Sequence, residues 1–253
     1  MTGPGTNTYI VGRERFAVID PGPADEQHIQ RVLAETHGAI DVVLVTHTHA
    51  DHSPAAKALA AACNAELLGR PAPADGRQDS SFAPQRVLED GDTVELDIGT
   101  LRALHTPGHA SNHVCYLLAE AGLLFTGDHL MQGSTVVIAP PDGNMKHYLE
   151  SLARLQREPV TRLAPGHGLA IEDAQSEIER IVAHRLQREA KVLARLIESE
   201  PATLDELVVR VYDDVDPRLH PVAKSSLLAH LQKLAADGKA NASADVWRAV
   251  KPA

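Results

Sequence analysis

Over its first two thirds the chain alternates short apolar runs with polar turns, the pattern of strands carried between helices. Thr8 to Val11 and Phe16 to Ile19 flank Gly12-Arg13-Glu14-Arg15 and predict a hairpin, and Asp20-Pro21-Gly22 ends its second strand. Asp25 to His37 places Ile29, Val32 and Leu33 at helical spacing, with Gly38 as a stop. Ile40 to Val45 is apolar apart from Asp41 and reads as a buried strand. Pro54 sits where a helix can begin, and Ala55 to Ala62 continues it with small residues. Residues 69–84 hold three prolines, two aspartates and few apolar groups, which predicts a loop. Strands resume at Val87-Leu88, Thr93 to Leu96 and Leu101 to Leu104, around an Asp90-Gly91-Asp92 turn. Val114 to Leu118 and Leu123 to Phe125 suggest a second hairpin about Gly122. Asn144 can cap a helix running to about Arg157, and a short strand, Val160 to Leu163, follows. Periodicity alone supports an α/β or α+β arrangement.

From Glu172 the pattern changes to one long helix, with Ile178, Ile181, Val182, Leu186, Val192, Leu193, Leu196 and Ile197 on a face and Pro201 at its end. Thr203 N-caps a helix to Val211, and a polar loop spans Asp213 to Pro217. A last helix, Pro221 to Ala236, stops at Asp237-Gly238, and Ala242 to Val250 suits a wing. Helix, helix, helix and wing is a winged-helix order.

Composition narrows this picture. At 253 residues the chain holds one large domain, or a medium one with a small companion, and its 43% hydrophobic content suits a sizeable core. Cys63 and Cys115 match no metal or redox spacing and read as buried thiols. Neither a signal peptide nor a membrane-spanning run is evident, so a soluble, cytoplasmic protein with no membrane partner is expected. The net charge of −10 argues against a broad basic face for nucleic acid, and 3% aromatic content argues against a base-stacking platform. From Glu198 onward seven Lys or Arg stand against nine Asp or Glu, so a duplex-DNA partner is not expected of the tail.

Chemistry concentrates just after the Ile40–Val45 run. His47-Thr48-His49-Ala50-Asp51-His52 delivers three imidazoles and a carboxylate into a short loop. These are donors that Zn²⁺, Mn²⁺ or Fe²⁺ accept. Four donors within six residues cannot comfortably reach one ion, so the spacing suggests two neighbouring ions.

This loop resembles the metal-binding signature of the metallo-β-lactamase-fold hydrolases, over about residues 5 to 170. The family's remaining ligands match His109 in Thr106-Pro107-Gly108-His109, Asp128 in Thr126-Gly127-Asp128 and His167 in Pro165-Gly166-His167-Gly168. The resemblance implies an α+β fold, a four-layer αβ/βα sandwich over 1–175, followed by a linker helix and a small winged-helix-like domain over 176–253. It implies that His47, His49 and His109 hold one ion, that Asp51, His52 and His167 hold another, and that Asp128 bridges them. Two divalent ions, zinc by preference, lower the pKa of a shared water and make hydroxide available to attack a carbonyl carbon or phosphorus. Asp51 then orients the hydroxide as well as binding metal. His113 is a candidate substrate contact or proton donor, with a structural histidine as the alternative. Asp20 is either a turn residue or a carboxylate behind the ligands. His105 reads as packing, His129 as pointing away from the bridge, and Ser53 as a helix N-cap.

The tail, with His184-Arg185, Arg188-Glu189 and Ala229-His230-Leu231-Gln232-Lys233-Leu234, resembles that of the mitochondrial lactamase-like endoribonucleases and their bacterial relatives. That resemblance implies phosphodiester cleavage in single-stranded RNA. The catalytic domain alone would equally serve a thioester, ester or lactone, as in glyoxalase-II-like enzymes. A di-iron redox relative would carry Glu where this chain has His49, and a β-lactamase would carry an export signal. A different class is a winged-helix binding protein with a vestigial metal site, against which the full ligand set counts. Within the tail, Arg218, His220 and Lys224 are candidates for contacting a phosphate backbone, although a slightly acidic tail favours a structural or substrate-covering role.

Overall fold

The computed structural model describes residues 5–199 and 201–250. β1 (Tyr9–Gly12) and β2 (Phe16–Ile19) form the expected antiparallel hairpin. β2, β3 (Ile40–Leu44), β4 (Glu66–Gly69) and β5 (Arg86–Val87) then pair in parallel, giving a sheet of order β1-β2-β3-β4-β5. Parallel neighbours need crossovers, and α1 (Glu26–Glu35) and α2 (Ala56–Cys63) supply two of them. The second sheet has the order β10-β9-β8-β7-β6. Its members are β6 (Thr93–Leu96), β7 (Gly99–His105), β8 (Val114–Leu118), β9 (Leu123–Gly127) and β10 (Arg162–Pro165). α3 (Met145–Leu155), capped by the Asn144 side chain, carries the chain across so that β10 lies parallel to β9.

Alternation along the strands builds four layers. Ala17 and Ile19 of β2 and Val42 and Leu44 of β3 face Val114, Tyr116 and Leu118 of β8 in a core between the sheets. Val18 and Val43 turn outward onto Ile29, Val32 and Leu59 of α1 and α2. Cys115 and Leu117 turn outward onto Tyr148, Leu152, Ile178 and Ile181 beneath the remaining helices. Strands buried on both faces lose the polar alternation of a surface strand, which is why β3 and β8 read as nearly continuous apolar runs.

α4 (Ala174–Glu198) leaves the sandwich, followed by β11 (Ala202–Thr203), α5 (Leu204–Val211), α6 (His220–Ala236), β12 (Ala240–Ser243) and β13 (Val246–Ala249). The three strands form a small sheet of order β11-β13-β12, and Thr203 and Glu206 close a reciprocal capping box at the start of α5. Helices and sheet enclose Leu207, Val211, Leu227, Leu231 and Trp247. α4 serves both cores, with Ile178 and Ile181 in the sandwich and Val192 and Leu196 in the tail. A helix shared in this way changes its packing partner within one element, between Ile181 and Val192. The outer limits, residues 1 and 253, lie outside the described residues.

Some local expectations differ from the structure. Leu186 and Ile197 are exposed, whereas Arg185 and Glu189 take inward positions on α4. The helix turns its face between two cores, so a single apolar stripe does not describe it. Ser53 is not an N-cap: α2 begins at Ala56 with no side-chain cap, and the Ser53 hydroxyl donates to Asp79 Oδ2 at 2.6 Å. The last sandwich strand runs from Arg162 to Pro165, later than the Val160–Leu163 pattern suggests.

Candidate metal centre

Strand direction gathers the chemistry at one edge. β2 and β3 are parallel, so Asp20 and the His47–His52 loop leave their sheet at the same end. In the other sheet β7 is antiparallel to β8, β8 to β9, and β9 parallel to β10. The ends of β7, β9 and β10 and the start of β8 therefore coincide, bringing His109, Asp128, His167 and His113 together. All seven residues of the expected ligand set converge there.

Two clusters result, joined by a third group of His47, His52 and Asp128. His49 Nδ1 lies 2.8 Å from His47 Nε2 and 3.0 Å from His109 Nε2. Asp51 Oδ2 lies 3.7 Å from His52 Nε2 and 3.3 Å from His167 Nε2. Asp128 stands between them: Oδ1 is 3.5 Å from His52 Nε2 and 3.3 Å from His167 Nε2, while Oδ2 is 3.7 Å from His109 Nε2. Donor atoms in each cluster lie within 4.8 Å of one another.

The opposite ring atoms are anchored, which sets the tautomers. His109 Nδ1 donates to the Val137 carbonyl at 2.8 Å and His167 Nδ1 to the Gly5 carbonyl at 2.9 Å. His52 Nδ1 meets Asp20 Oδ2 at 2.9 Å. Donation from Nδ1 leaves each Nε2 lone pair directed into the cluster, the arrangement a metal ligand needs. His52 Nε2, His167 Nε2 and Asp128 Oδ1 are buried without a protein hydrogen-bond partner. Buried polar atoms are seldom unpaired, and those three point at the same space, so the donor set fits a divalent cation.

Electrostatics divide the cleft in the same way. Burial by itself would lower His167, but contacts with Asp128 and Asp51 outweigh it and raise the imidazole to about 10. Burial would raise Asp51, yet His167, His52 and Thr6 hold it at about 2. On the other side, burial and the neighbouring His109 push His49 down to about 4. The carboxylate side thus attracts positive charge, while the histidine side presents neutral lone pairs. Both properties favour a cation.

Asp20 is more than a turn residue. It is buried at φ 51° and accepts from the Thr46 backbone N–H and hydroxyl, both at 2.7 Å, as well as facing His52. Close approach also explains Gly127 and Gly166. A Cβ at Gly127 would stand 2.4 Å from Thr46 Oγ1, and one at Gly166 would stand 2.8 Å from both Asp128 Oδ1 and a His52 ring carbon. His113 is fully buried, its ring 5.0 Å from that of His47 and its Nδ1 3.0 Å from Thr106 Oγ1. Burial and the neighbouring His129 and His109 keep it neutral. His129 packs between His113 and Tyr148, and His105 joins its ring to the Ser111 carbonyl.

Sequence reasoning had no signal for the rim. The 69–84 loop is tied to the cleft by Thr48 Oγ1 donating to Gln78 at 2.6 Å and by Gln78 donating to Asp142 at 2.8 Å. Nor did it have one for the Val137 and Gly5 carbonyls, since any residue supplies a carbonyl. No helix among the described residues is long and apolar enough to cross a membrane.

Comparison with known proteins agrees with this architecture. The metallo-beta-lactamase superfamily model matches residues 1–167, and the beta-lactamase associated winged helix domain model matches residues 203–247. The beta-lactamase-like protein 2 homolog of Drosophila melanogaster is 31% identical over 257 residues, covering 96% of this chain and 86% of that protein. The atrochrysone carboxyl ACP thioesterase of Aspergillus chevalieri is 33% identical over 253 residues, covering 93% of this chain and 77% of that one. The crystal structure of a metallo-beta-lactamase family protein from Thermus thermophilus superposes with a TM-score of 0.80 at 23% identity, covering 97% of this chain and 94% of the other.

Proposed function

The chain belongs to the metallo-beta-lactamase superfamily and is a metallo-hydrolase, and from that premise we propose that it cleaves an acyl thioester at a two-ion centre. His47, His49 and His109 would hold one ion and Asp51, His52 and His167 the other, with the two oxygens of Asp128 turned one to each. Bound divalent ions, zinc by donor preference with manganese and iron as the other candidates, supply Lewis acidity and a water acidic enough to ionise near neutral pH.

The chain's own groups do the rest. Asp51 keeps a side chain 40% exposed at the mouth of the cleft, where it would orient the attacking water. Asp20 fixes the His52 ring, and the Val137 and Gly5 carbonyls fix His109 and His167, so the donor lone pairs are aligned before substrate arrives. His113, buried and neutral behind His47, is suited to packing that ring rather than to donating a proton. A thiol leaving group, with a pKa of about 8.5, departs as thiolate without a strong general acid. The kinship with a thioesterase over 93% of this chain, tail included, carries the reading. Cleavage of single-stranded RNA is the second reading, favoured by the winged-helix tail.

Protein purified without chelator should contain two equivalents of metal by elemental analysis. Assayed with its metal measured, it should turn over acyl thioesters at least about 100-fold more efficiently than single-stranded RNA or nitrophenyl phosphodiesters. A preparation that cuts RNA and leaves thioesters intact reverses the order of the two readings. A folded, active preparation with a single equivalent removes the two-ion centre.

A further inference from the structure

A second concentration of unpaired polarity lies where α4 passes between the two cores. Arg185 is only 3% exposed. One guanidinium nitrogen donates to the Val136 carbonyl, the group lies 5.3 Å from the centre of the Tyr148 ring, and Nε has no partner. Among the described residues no carboxylate lies within ion-pair distance of it. Asp214 pairs with Arg188, Glu177 with Arg180, and Glu189 with Lys233 through one of its two oxygens. A buried guanidinium without a counter-charge is costly. An anion bound beside it would supply the missing counter-charge.

The space for one is present. A cavity of about 180 Å³ is bounded by His184, Arg185 and Arg188 of α4, by Ser226 of α6, and by Thr135 and Val137 of the segment preceding the cis Pro140-Pro141 bond. With about 30 Å³ per water, it is large enough for a tetrahedral oxyanion and part of its ester chain. His184 Nδ1 is likewise unpartnered, and burial together with Arg185 and Arg188 depresses that imidazole, as expected in a positive potential. The Ser226 hydroxyl oxygen accepts from the Ile138 N–H at 3.4 Å, which leaves its proton to donate. Val137 joins the cavity to the metal cleft, because its carbonyl is the group that accepts from His109 Nδ1.

We propose that this cavity is the phosphate subsite for the carrier of the thioester: Arg185, with Ser226 and the flanking His184, binds a phosphate of a coenzyme A or phosphopantetheine arm while the acyl carbonyl lies at the metal cleft. The assignment rests on the thioester reading. The oxyanion site itself does not.

The test uses the full, metal-loaded chain and two substrates sharing one acyl group, an acyl-coenzyme A and the corresponding N-acetylcysteamine thioester, which lacks phosphate. Arg185→Gln should raise KM for the coenzyme A ester roughly tenfold or more, the loss of a hydrogen bond to a charged group. Its kcat, and both constants for the short thioester, should stay within about twofold. Arg185→Lys should recover most of the difference. Sulfate should raise the melting temperature of the wild type more than that of Arg185→Gln, the common part being its general effect on burial. Equal losses on both thioesters would show that Arg185 only braces the Val136–Ile138 segment, and no change on either would show an idle cavity. Both overturn the proposal. If the wild type hydrolyses no thioester but sulfate stabilisation still depends on Arg185, the oxyanion site stands and the carrier assignment falls with the thioester reading. Arg185-dependent binding of a single-stranded oligoribonucleotide, with the coenzyme A KM unmoved, would overturn the carrier assignment in favour of RNA.

Discussion

The metal cleft and the outer face of the winged-helix tail are both rich in ionisable groups, and they are built on opposite rules. In the cleft, His52, His167 and Asp128 are buried with polar atoms that no protein group satisfies. On the tail, Lys224 pairs with Asp205, Arg218 with Asp216, and Lys191 with Asp213 and Asp214, all at or near the surface. Exposed pairs of this kind contribute little energy, and they leave neither Arg218 nor Lys224 waiting for a backbone phosphate. A functional site is therefore marked here less by the density of charge than by charge and polarity left unmet out of water. By that measure Arg185 belongs with the cleft, and Arg218 and Lys224 belong with the surface.

The sharpest break of this comparison is at Asp128. Because its two oxygens face different clusters, Asp128→Asn should lose both metal equivalents and more than about 100-fold in activity while circular dichroism stays native. Near-normal turnover would mean that another group joins the clusters. The same logic extends one layer back. Asp20→Asn keeps size but removes the charge facing His52 and should weaken metal affinity by about 10- to 100-fold. Titration against a competing chelator reads this, and an unchanged affinity would return Asp20 to a turn residue.

On the tail the expected effects are small. Arg218→Ala with Lys224→Ala should leave thioester hydrolysis within about twofold and melting nearly unchanged. A large, salt-dependent loss of RNA cleavage by the same variant would instead place a nucleic-acid path over this surface. The smallest effect concerns Glu189, on the inner side of α4. Burial would raise its carboxyl, but His230 and Lys233 outweigh burial and hold it below its ordinary range. A depressed carboxyl stabilises the fold above its unfolded pKa of about 4.3, and that contribution disappears as pH falls through the folded value. Glu189→Gln should therefore melt below the wild type near neutrality and converge with it in acid. Parallel curves would show that the carboxylate contributes nothing specific.

Much of the molecule is legible in the order of its residues. The hairpin across residues 12–15, the Asn144 and Thr203 caps and the switch to a long helix after residue 172 are local signals, written within a few residues of where they act. The His47–His52 loop was legible because metal binding demands particular side chains at close spacing. β4 gave no comparable signal: Glu66 to Gly69 is a four-residue strand with two leucines, and it forms by lying beside β3. The exposure of Leu186 and Ile197 was hidden because one helix serves two cores. Asp20 could not be ranked above a turn residue until the parallel register of β2 and β3 carried it to His52.

What the sequence by itself determined is the inventory: which strands are buried, where helices start, and which donors are available for metal. What only the tertiary structure decided is who faces whom. Asp128 stands between two clusters because β9 lies between β8 and β10, and Arg185 is buried without a counter-charge because α4 crosses from one core to the other. The physical reason is one of range. Periodicity and capping act over a turn or two, whereas an unmet charge is defined by every group that fails to approach it, and those groups come from the whole chain.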